Sequence, residues 1–186
     1  MGNFDIKGEI KELVSVVAIA FILSMFLRHF VIEARLIPSG SMLPTIQLQN
    51  RVLVNRFIYR FTEPERGDVV VFQPPLETDE DYIKRVIGLP GDTLEVKDTE
   101  LYINGNVLHE PYILEPMNYA FGPVTVPEGC LFVMGDNRNN SYDSHLWDKW
   151  LTIDEVKGKA LVVFWPFKDM KKLDWEGSFD AGAVNE

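Results

Sequence analysis

The sequence predicts a mainly β, antiparallel domain, built as a barrel or a sandwich and preceded by one N-terminal transmembrane helix. Three observations predict it. Residues 13–27 form the one long apolar run among the 186 residues. After residue 35, short apolar segments alternate with turn signals rich in Pro and Gly. Asn104-Gly105, between two such segments, strongly favours a β-hairpin.

The apolar run is typical of a membrane anchor. It carries no charge, and extending it to residue 32 gives the 20 residues that a membrane span needs. A buried core helix would show a polar face, but only two serines interrupt the run. A cleaved secretory signal needs a basic leading segment and a small-x-small cleavage site, and neither is found. We predict an N-terminal segment at residues 1–12 and an anchor at residues 13–32.

The remainder is predicted to form a β-rich domain at residues 36–168 and a polar, loosely ordered tail at residues 169–186. One helical turn is expected at residues 152–156, where Thr152 and Glu155 have the spacing of a capping box. Candidate strands are residues 52–59, 68–73, 82–87, 93–96, 101–103, 107–109, 130–134 and 159–164.

Composition excludes several classes of protein. With 18 basic and 28 acidic residues, a net charge of −10 and a pI near 4.8, the chain is a poor candidate for binding nucleic acid. All of this negative charge follows residue 35, so the domain should not adhere to anionic lipid through bulk charge. The acidic residues 77–81 are expected to form a solvated loop. Cys130 is the only cysteine, which excludes an intramolecular disulfide.

The first segment that carries chemistry is PSGSMLPT at residues 38–45. Prolines and Gly40 shape the backbone around the hydroxyls of Ser39 and Ser41. A nucleophilic serine needs such a fixed turn beside backbone N–H groups that can hold an oxyanion. The alternative is an ordinary linker between anchor and domain.

The second segment is YIKRVIGLPGD at residues 82–92. Strand alternation places Lys84 between large apolar side chains and points Arg85 to the opposite face. Apolar neighbours lower the pKa of a lysine by desolvation, and a lysine acts as a general base only when its pKa is lowered. The alternative is a pair of exposed cations on an edge strand.

The third segment is GDNRNNSYDSH at residues 135–145, a polar loop after a candidate strand. A calcium loop is disfavoured, because Arg138 stands where the third-position ligand should be and the sixth-position glycine is missing. Residues 139–141 also match a glycosylation sequon, a short pattern that often occurs by chance.

Together with RGDVVVF at residues 66–72, these segments resemble the type I signal peptidases, a family of membrane-bound Ser-Lys proteases. The resemblance covers residues 37–167, and the short build is similar to the compact bacterial form with one anchor. It implies an antiparallel β catalytic domain on the extracytoplasmic side of a single-pass protein of the plasma membrane.

The resemblance also implies roles for individual residues. Ser41 would be the nucleophile and Lys84 the general base, with the oxyanion hole formed by the Ser41 N–H and the Ser39 hydroxyl. Ser141 would orient the Lys84 ammonium. The implied supports of the site are Asp136, Asp143, Arg85 and His145. His145 stands where many members of the family have Arg, so its pairing with Asp143 would vary in strength near neutral pH.

The implied function is the removal of signal peptides from exported preproteins through an acyl-enzyme, with no metal or other cofactor. The implied partners are preproteins, the lipid bilayer and the protein translocase. Three rivals remain: a Ser-His-Asp protease using Ser41, His145 and Asp143, a self-cleaving repressor, and an anchored β-barrel module that binds exported proteins without catalysis. An anchor occupies the place where a repressor would carry its DNA-binding module.

Overall fold

A computed structural model describes residues 6–179 of the chain, with side chains for residues 8–25 and 31–179. It begins with helix α1 (Ile6–Phe30), whose described apolar side chains are exposed. Within this described part, no helix meets the combined length and hydropathy that a membrane span requires. Residues 1–5 of the predicted N-terminal segment and residues 180–186 of the predicted tail lie outside it.

Thirteen strands follow the helix, and every strand pairing in the described part of the chain is antiparallel. In chain order they are β1 (Ile32–Leu36), β2 (Arg51–Asn55), β3 (Val69–Phe72), β4 (Tyr82–Gly88), β5 (Thr93–Lys97), β6 (Glu100–Ile103), β7 (Asn106–His109), β8 (Phe121–Thr125), β9 (Cys130–Met134), β10 (Leu151–Thr152), β11 (Val156–Trp165), β12 (Lys171–Lys172) and β13 (Ser178–Phe179).

The strands form two sheets. The larger has the order β1-β2-β11-β3-β4-β9-β10, with β12 added to β11, and the smaller has the order β13-β7-β6-β5-β8. The predicted class of a mainly β, antiparallel domain is therefore confirmed. So is the predicted hairpin, since Asn104 and Gly105 join β6 to β7 with φ angles of 52° and 83°.

The centre of the larger sheet is buried on both faces. Val69, Val71 and Ile83 belong to one apolar cluster, whereas Val70 and Val86 belong to another on the opposite face. A third cluster lies under the smaller sheet. β4 therefore runs through the core as an interior strand, and the alternative of an exposed edge strand is wrong.

The structure adds elements that the sequence pattern did not predict. β1 begins two residues after the helix, so the predicted anchor end at residue 32 falls inside a strand. β8, β10, β12 and β13 were also missed, and β2 stops at Asn55, before a 3₁₀ turn. The expected turn near residue 152 is present, and the Thr152 N–H donates to the Glu155 carboxylate over 2.8 Å.

The prediction of a loosely ordered tail is wrong for residues 171–179. Leu173 is 4% exposed in the first core cluster, and β13 pairs with β7. The indole of Trp175 covers Gly67, where a Cβ would lie 2.1 Å from Trp175 Cγ. The tail is therefore held against the domain by the burial of Leu173 and by the pairing of β13 with β7.

Candidate active site

The serine segment forms a turn between β1 and β2, and its apolar residues hold it in place. Ile37 and Met42 are buried in the first core cluster. The Ile37 N–H donates to the Asn50 carbonyl, and the Gln49 N–H donates to the Ile37 carbonyl. Ser41 is 8% exposed, and its Oγ lies 3.4 Å from the hydroxyl oxygen of the exposed Ser39. The predicted nucleophile thus lies on a fixed turn.

Lys84 projects from β4 towards this turn. Its Nζ donates a 2.7 Å hydrogen bond to Ser41 Oγ, although the two residues are 43 positions apart in the chain. The side chain is buried, with Nζ 5.3 Å from the centre of the Tyr82 ring. Desolvation lowers the pKa of Lys84 to about 8, and the negative charges of Asp143 and Asp136 limit the fall.

Arg85 points to the opposite face, as predicted, but it is buried too. Its Nε and Nη2 donate to both carboxylate oxygens of Asp136 at 2.9 and 2.7 Å, and Nη1 donates to the Gly67 carbonyl. Its guanidinium lies 4.1 Å from the centre of the Tyr112 ring. Burial opposes the charged form, but the hydrogen bonds and charge of Asp136 outweigh it and raise the pKa of Arg85.

Asp143 fixes the polar loop that follows β9. One carboxylate oxygen accepts the Gly135 N–H over 2.9 Å, and the other lies 2.6 Å from His145 Nδ1. The imidazole of His145 stacks on the Tyr119 ring, with centroids 4.4 Å apart and planes 6° from parallel. The predicted Asp143–His145 pair is therefore formed.

Ser141 is brought to the site without the predicted contact. Its buried Oγ has no hydrogen-bond partner among the described residues. A Cβ at Gly135 would lie 2.3 Å from Ser141 Oγ and 2.4 Å from the Ser41 carbonyl oxygen. Gly135 therefore permits Ser41 and Ser141 to approach from either side, and its lack of a side chain is a requirement of the site.

Sequence reasoning missed two further contacts of this loop. Asn137 bonds to the backbone of the serine turn: its N–H donates to the Ser41 carbonyl and its Nδ2 donates to the Gly40 carbonyl, both over 3.0 Å. Arg138, fully buried, pairs with the Glu110 carboxylate. No local signal sets Asn137 apart from the other asparagines of the loop, and Arg138 and Glu110 are 28 positions apart.

A cleft of about 620 Å³ runs along Ser41 and Lys84. Its walls are residues 35–38 and residues 79–84, and Asn140 and Tyr142 also line it. The expectation of a solvated acidic loop is wrong for Asp81, whose carboxylate pairs with Arg35 over 2.9 Å and with Lys157. No three His, Cys, Asp or Glu side chains of the described residues are placed to hold a metal ion.

A model of the family described as signal peptidase, peptidase S26, matches residues 10–165. The chain belongs to this family. Two curated relatives are a signal peptidase I of Leptolyngbya laminosa, 43% identical over 87% of this chain and 83% of its own, and signal peptidase I S of Bacillus subtilis (strain 168), 39% identical over 92% and 98%. A solved signal peptidase I from Enterococcus faecalis V583 aligns with 53% of this chain and 97% of its own, at 35% identity and a TM-score of 0.46.

Membership in the signal peptidase family confirms the predicted activity, that of a serine endopeptidase that removes signal peptides. The names of these relatives give no support to the alternative of a binding module without catalysis. The roles of individual residues and the membrane anchor stay predictions.

Proposed function

We propose that this signal peptidase hydrolyses the peptide bond with Ser41 as nucleophile and Lys84 as general base. The observation that carries the proposal is the 2.7 Å hydrogen bond between Lys84 Nζ and Ser41 Oγ. A lysine pKa of about 8 leaves a useful fraction of neutral amine near neutral pH, and a neutral amine can accept the serine proton. Ser41 Oγ then attacks the scissile carbonyl carbon.

The tetrahedral intermediate needs donors for its oxyanion, and the Ser41 N–H and the Ser39 hydroxyl are proposed to supply them. The ammonium of Lys84 donates its proton to the departing amine, which leaves an acyl-enzyme on Ser41. Water, deprotonated by Lys84, then hydrolyses the ester. Every proton in this sequence passes through Lys84.

The geometry favours a Ser-Lys dyad over the Ser-His-Asp alternative. Lys84 Nζ bonds to the Ser41 hydroxyl, whereas His145 bonds to Asp143 and stacks on Tyr119. We assign Asp143 and Asp136 to fixing the loop and limiting the fall in the Lys84 pKa. Arg85 holds Asp136, and His145 holds Asp143.

Ser141 is assigned to orienting the ammonium that Lys84 becomes during the reaction. Its buried hydroxyl is unpartnered among the described residues, and it faces Gly135, which also contacts the Ser41 carbonyl. A buried hydroxyl without a partner is costly, so a hydrogen bond accepted from Lys84 during the reaction would give it a purpose.

The substrate is proposed to be the signal peptide of an exported preprotein, bound as an extended chain with small residues at the first and third positions before the cut. β9 pairs with β4 only from Arg85 onwards, so residues 82–84 face the cleft without a neighbouring strand on that side. Residues 35–38 form the facing wall. An extended peptide between the walls can add backbone hydrogen bonds as a strand would.

We further propose that α1 anchors the protein in the plasma membrane, with the β domain on the extracytoplasmic side near the translocase. Its exposed apolar side chains support this, because they lack cover from the domain. From the sequence alone, Phe57, Tyr59, Trp147 and Trp150 are the candidates for an apolar rim that touches the membrane. Tyr59, Trp147 and Trp150 pack against core clusters, and Phe57 is half-buried. Among the described residues, exposed apolar side chains at one end of the β1-β2-β11 edge are better candidates: Leu36, Trp165 and Phe167.

The test is cleavage of a preprotein by the detergent-solubilised full chain, with the Ser41→Ala variant as the comparison. We expect the wild-type protein to release the signal peptide, with one cut position by mass spectrometry, and the variant to release none. Equal cleavage by both would refute Ser41 as nucleophile. Binding of the preprotein without cleavage at several pH values would instead favour the non-catalytic module.

A further inference from the structure

We propose that Asn137 is a positioning residue that orients the peptide between Gly40 and Ser41, and through it the N–H that stabilises the oxyanion. The inference rests on the proposed function, because it assigns a purpose to an atom of the proposed oxyanion hole. Asn137 touches no reacting atom in this mechanism and acts through the backbone.

Asn137 holds the serine turn at two successive carbonyls. Its backbone N–H donates to the Ser41 carbonyl, and its side-chain Nδ2 donates to the Gly40 carbonyl, each over 3.0 Å. Asn137 is 5% exposed, so its side chain is largely shielded from water. The Gly40 carbonyl accepts one other hydrogen bond in the described chain, from the Leu43 N–H at 3.2 Å.

The geometry of the peptide group converts this contact into a constraint on the N–H. The group is planar, and in the trans form its C=O and N–H point in opposite directions. Fixing the Gly40 carbonyl against Asn137 therefore aims the Ser41 N–H away from the loop. That N–H donates to no other atom of the described residues, so it is available for a developing negative charge.

The loop that carries Asn137 is itself held rigidly. The Gly135 N–H donates to Asp143 at 2.9 Å, and the Gly135 carbonyl accepts a 3.0 Å bond from Arg138 Nε. Gly135 lets this loop lie directly against the Ser41 carbonyl. A preorganised donor needs no rearrangement during the reaction. Electrostatic stabilisation of the transition state is strong for this reason, because no energy is spent on orienting the donor.

Asn139, two residues further along, provides a matched control. Its Nδ2 bonds to Glu115 and to the Pro116 carbonyl, and its Oδ1 accepts the Asn118 N–H. These contacts hold a different part of the chain. Asn139→Ala thus removes an asparagine from the same loop without touching the serine turn.

The experiment compares wild type, Asn137→Ala, Asn137→Asp and Asn139→Ala in kinetics of preprotein cleavage by the solubilised full chain. Two probes are added: a peptide aldehyde that forms a tetrahedral adduct on Ser41, and the matching uncleavable peptide amide. For Asn137→Ala we expect kcat to fall about tenfold, the effect of roughly one hydrogen bond, with KM little changed. Aldehyde affinity should fall by a similar factor, while amide affinity stays the same.

Asn137→Asp keeps the shape of the side chain but loses the donor and faces the Gly40 carbonyl with an acceptor. Its kcat should fall at least as far as that of Asn137→Ala, whereas Asn139→Ala should match wild type. Unchanged kcat in both Asn137 variants, or equal losses of aldehyde and amide affinity, would overturn the inference. Activity in Ser41→Ala would overturn the proposed function itself, so the two failures are distinguishable. A thermal unfolding scan identifies any variant that loses activity through misfolding. If Asn137→Ala misfolds while Asn137→Asp is folded and fully active, the inference is wrong.

Discussion

Lys84 and Arg85 are neighbours on one strand, and both are buried, at 4% and 1% exposed, yet their surroundings treat charge in opposite ways. Arg85 has a carboxylate partner that bonds two of its nitrogens, so its charge is retained. Lys84 bonds instead to the neutral Ser41 hydroxyl, and the negative charges of Asp143 and Asp136 do not compensate for its desolvation. The contrast teaches that burial alone does not make a base, whereas burial without a direct anionic partner does.

The largest effect is expected when Lys84, which has no carboxylate partner among the described residues, is replaced. Lys84→Met keeps most of the length of the side chain and its apolar stem but removes the base, so cleavage should fall by at least about 10⁴-fold. The measurement is a preprotein cleavage assay, and circular dichroism verifies the fold. His145→Ala should lose far less, because His145 acts on Asp143. Full activity in Lys84→Met together with its loss in His145→Ala would establish the Ser-His-Asp alternative.

The second prediction concerns Arg85, which is paired with Asp136. Arg85→Met leaves the Asp136 carboxylate buried without its partner, which should lower the free energy of unfolding by about 3–5 kcal/mol. Urea denaturation followed by circular dichroism measures this. Lys97→Met is the control. It removes an exposed salt bridge to Glu95 and an exposed contact with the Tyr102 ring, and it should cost about 1 kcal/mol or less. Similar costs at the two positions would show that burial of the Arg85–Asp136 pair has no energetic consequence.

The third prediction uses pH to measure the free-energy cost of burying the charged form of Lys84. Below pH 8 the lysine is charged in both the folded and the unfolded chain, and only the folded chain bears the desolvation cost. Between about pH 8 and the ordinary pKa of 10.5, the unfolded chain binds more protons, so wild-type stability rises with pH. Lys84→Met lacks this term. Its stability advantage over wild type should be up to about 3 kcal/mol at pH 7 and should shrink by pH 10.

The comparison is made by denaturant unfolding of both proteins from pH 7 to pH 10. All other titrating groups are shared by the two proteins, so their contributions largely cancel in the difference. A constant difference across this range would mean that the Lys84 pKa is the same in the folded and the unfolded chain.

The sequence was sufficient for the parts of the site that local pattern controls. Ser41 lies in a segment whose prolines and glycine force a turn, and alternation along β4 correctly separated Lys84 from Arg85. The same alternation could not reveal that both faces of β4 are buried, because a strand interior to a core has apolar residues on either side.

The missed features depend on contacts between distant parts of the chain. β1 directly follows a long apolar helix, and no turn signal marks its start. The pattern of the tail is polar, and only the fold provides the surface that buries Leu173 and the glycine, Gly67, against which Trp175 lies. Asn137 is one of several asparagines in its loop, and its position against Gly40 arises from the fold.

The smallest expected effect tests how far the charge of Asp143 reaches towards Lys84. Asp143 holds the pKa of Lys84 up, and His145 lies 2.6 Å from its carboxylate. His145→Arg places a permanent positive charge beside Asp143 and can keep the stacking contact with Tyr119, since guanidinium groups stack on aromatic rings. This charge should offset Asp143 and lower the Lys84 pKa. His145→Gln carries no charge at any pH and is the uncharged control. The acidic limb of the kcat/KM profile should lie at lower pH in His145→Arg than in His145→Gln, by up to about half a unit. Identical profiles in the two variants, or a limb at higher pH in His145→Arg, would show that Asp143 supports the loop without tuning the base.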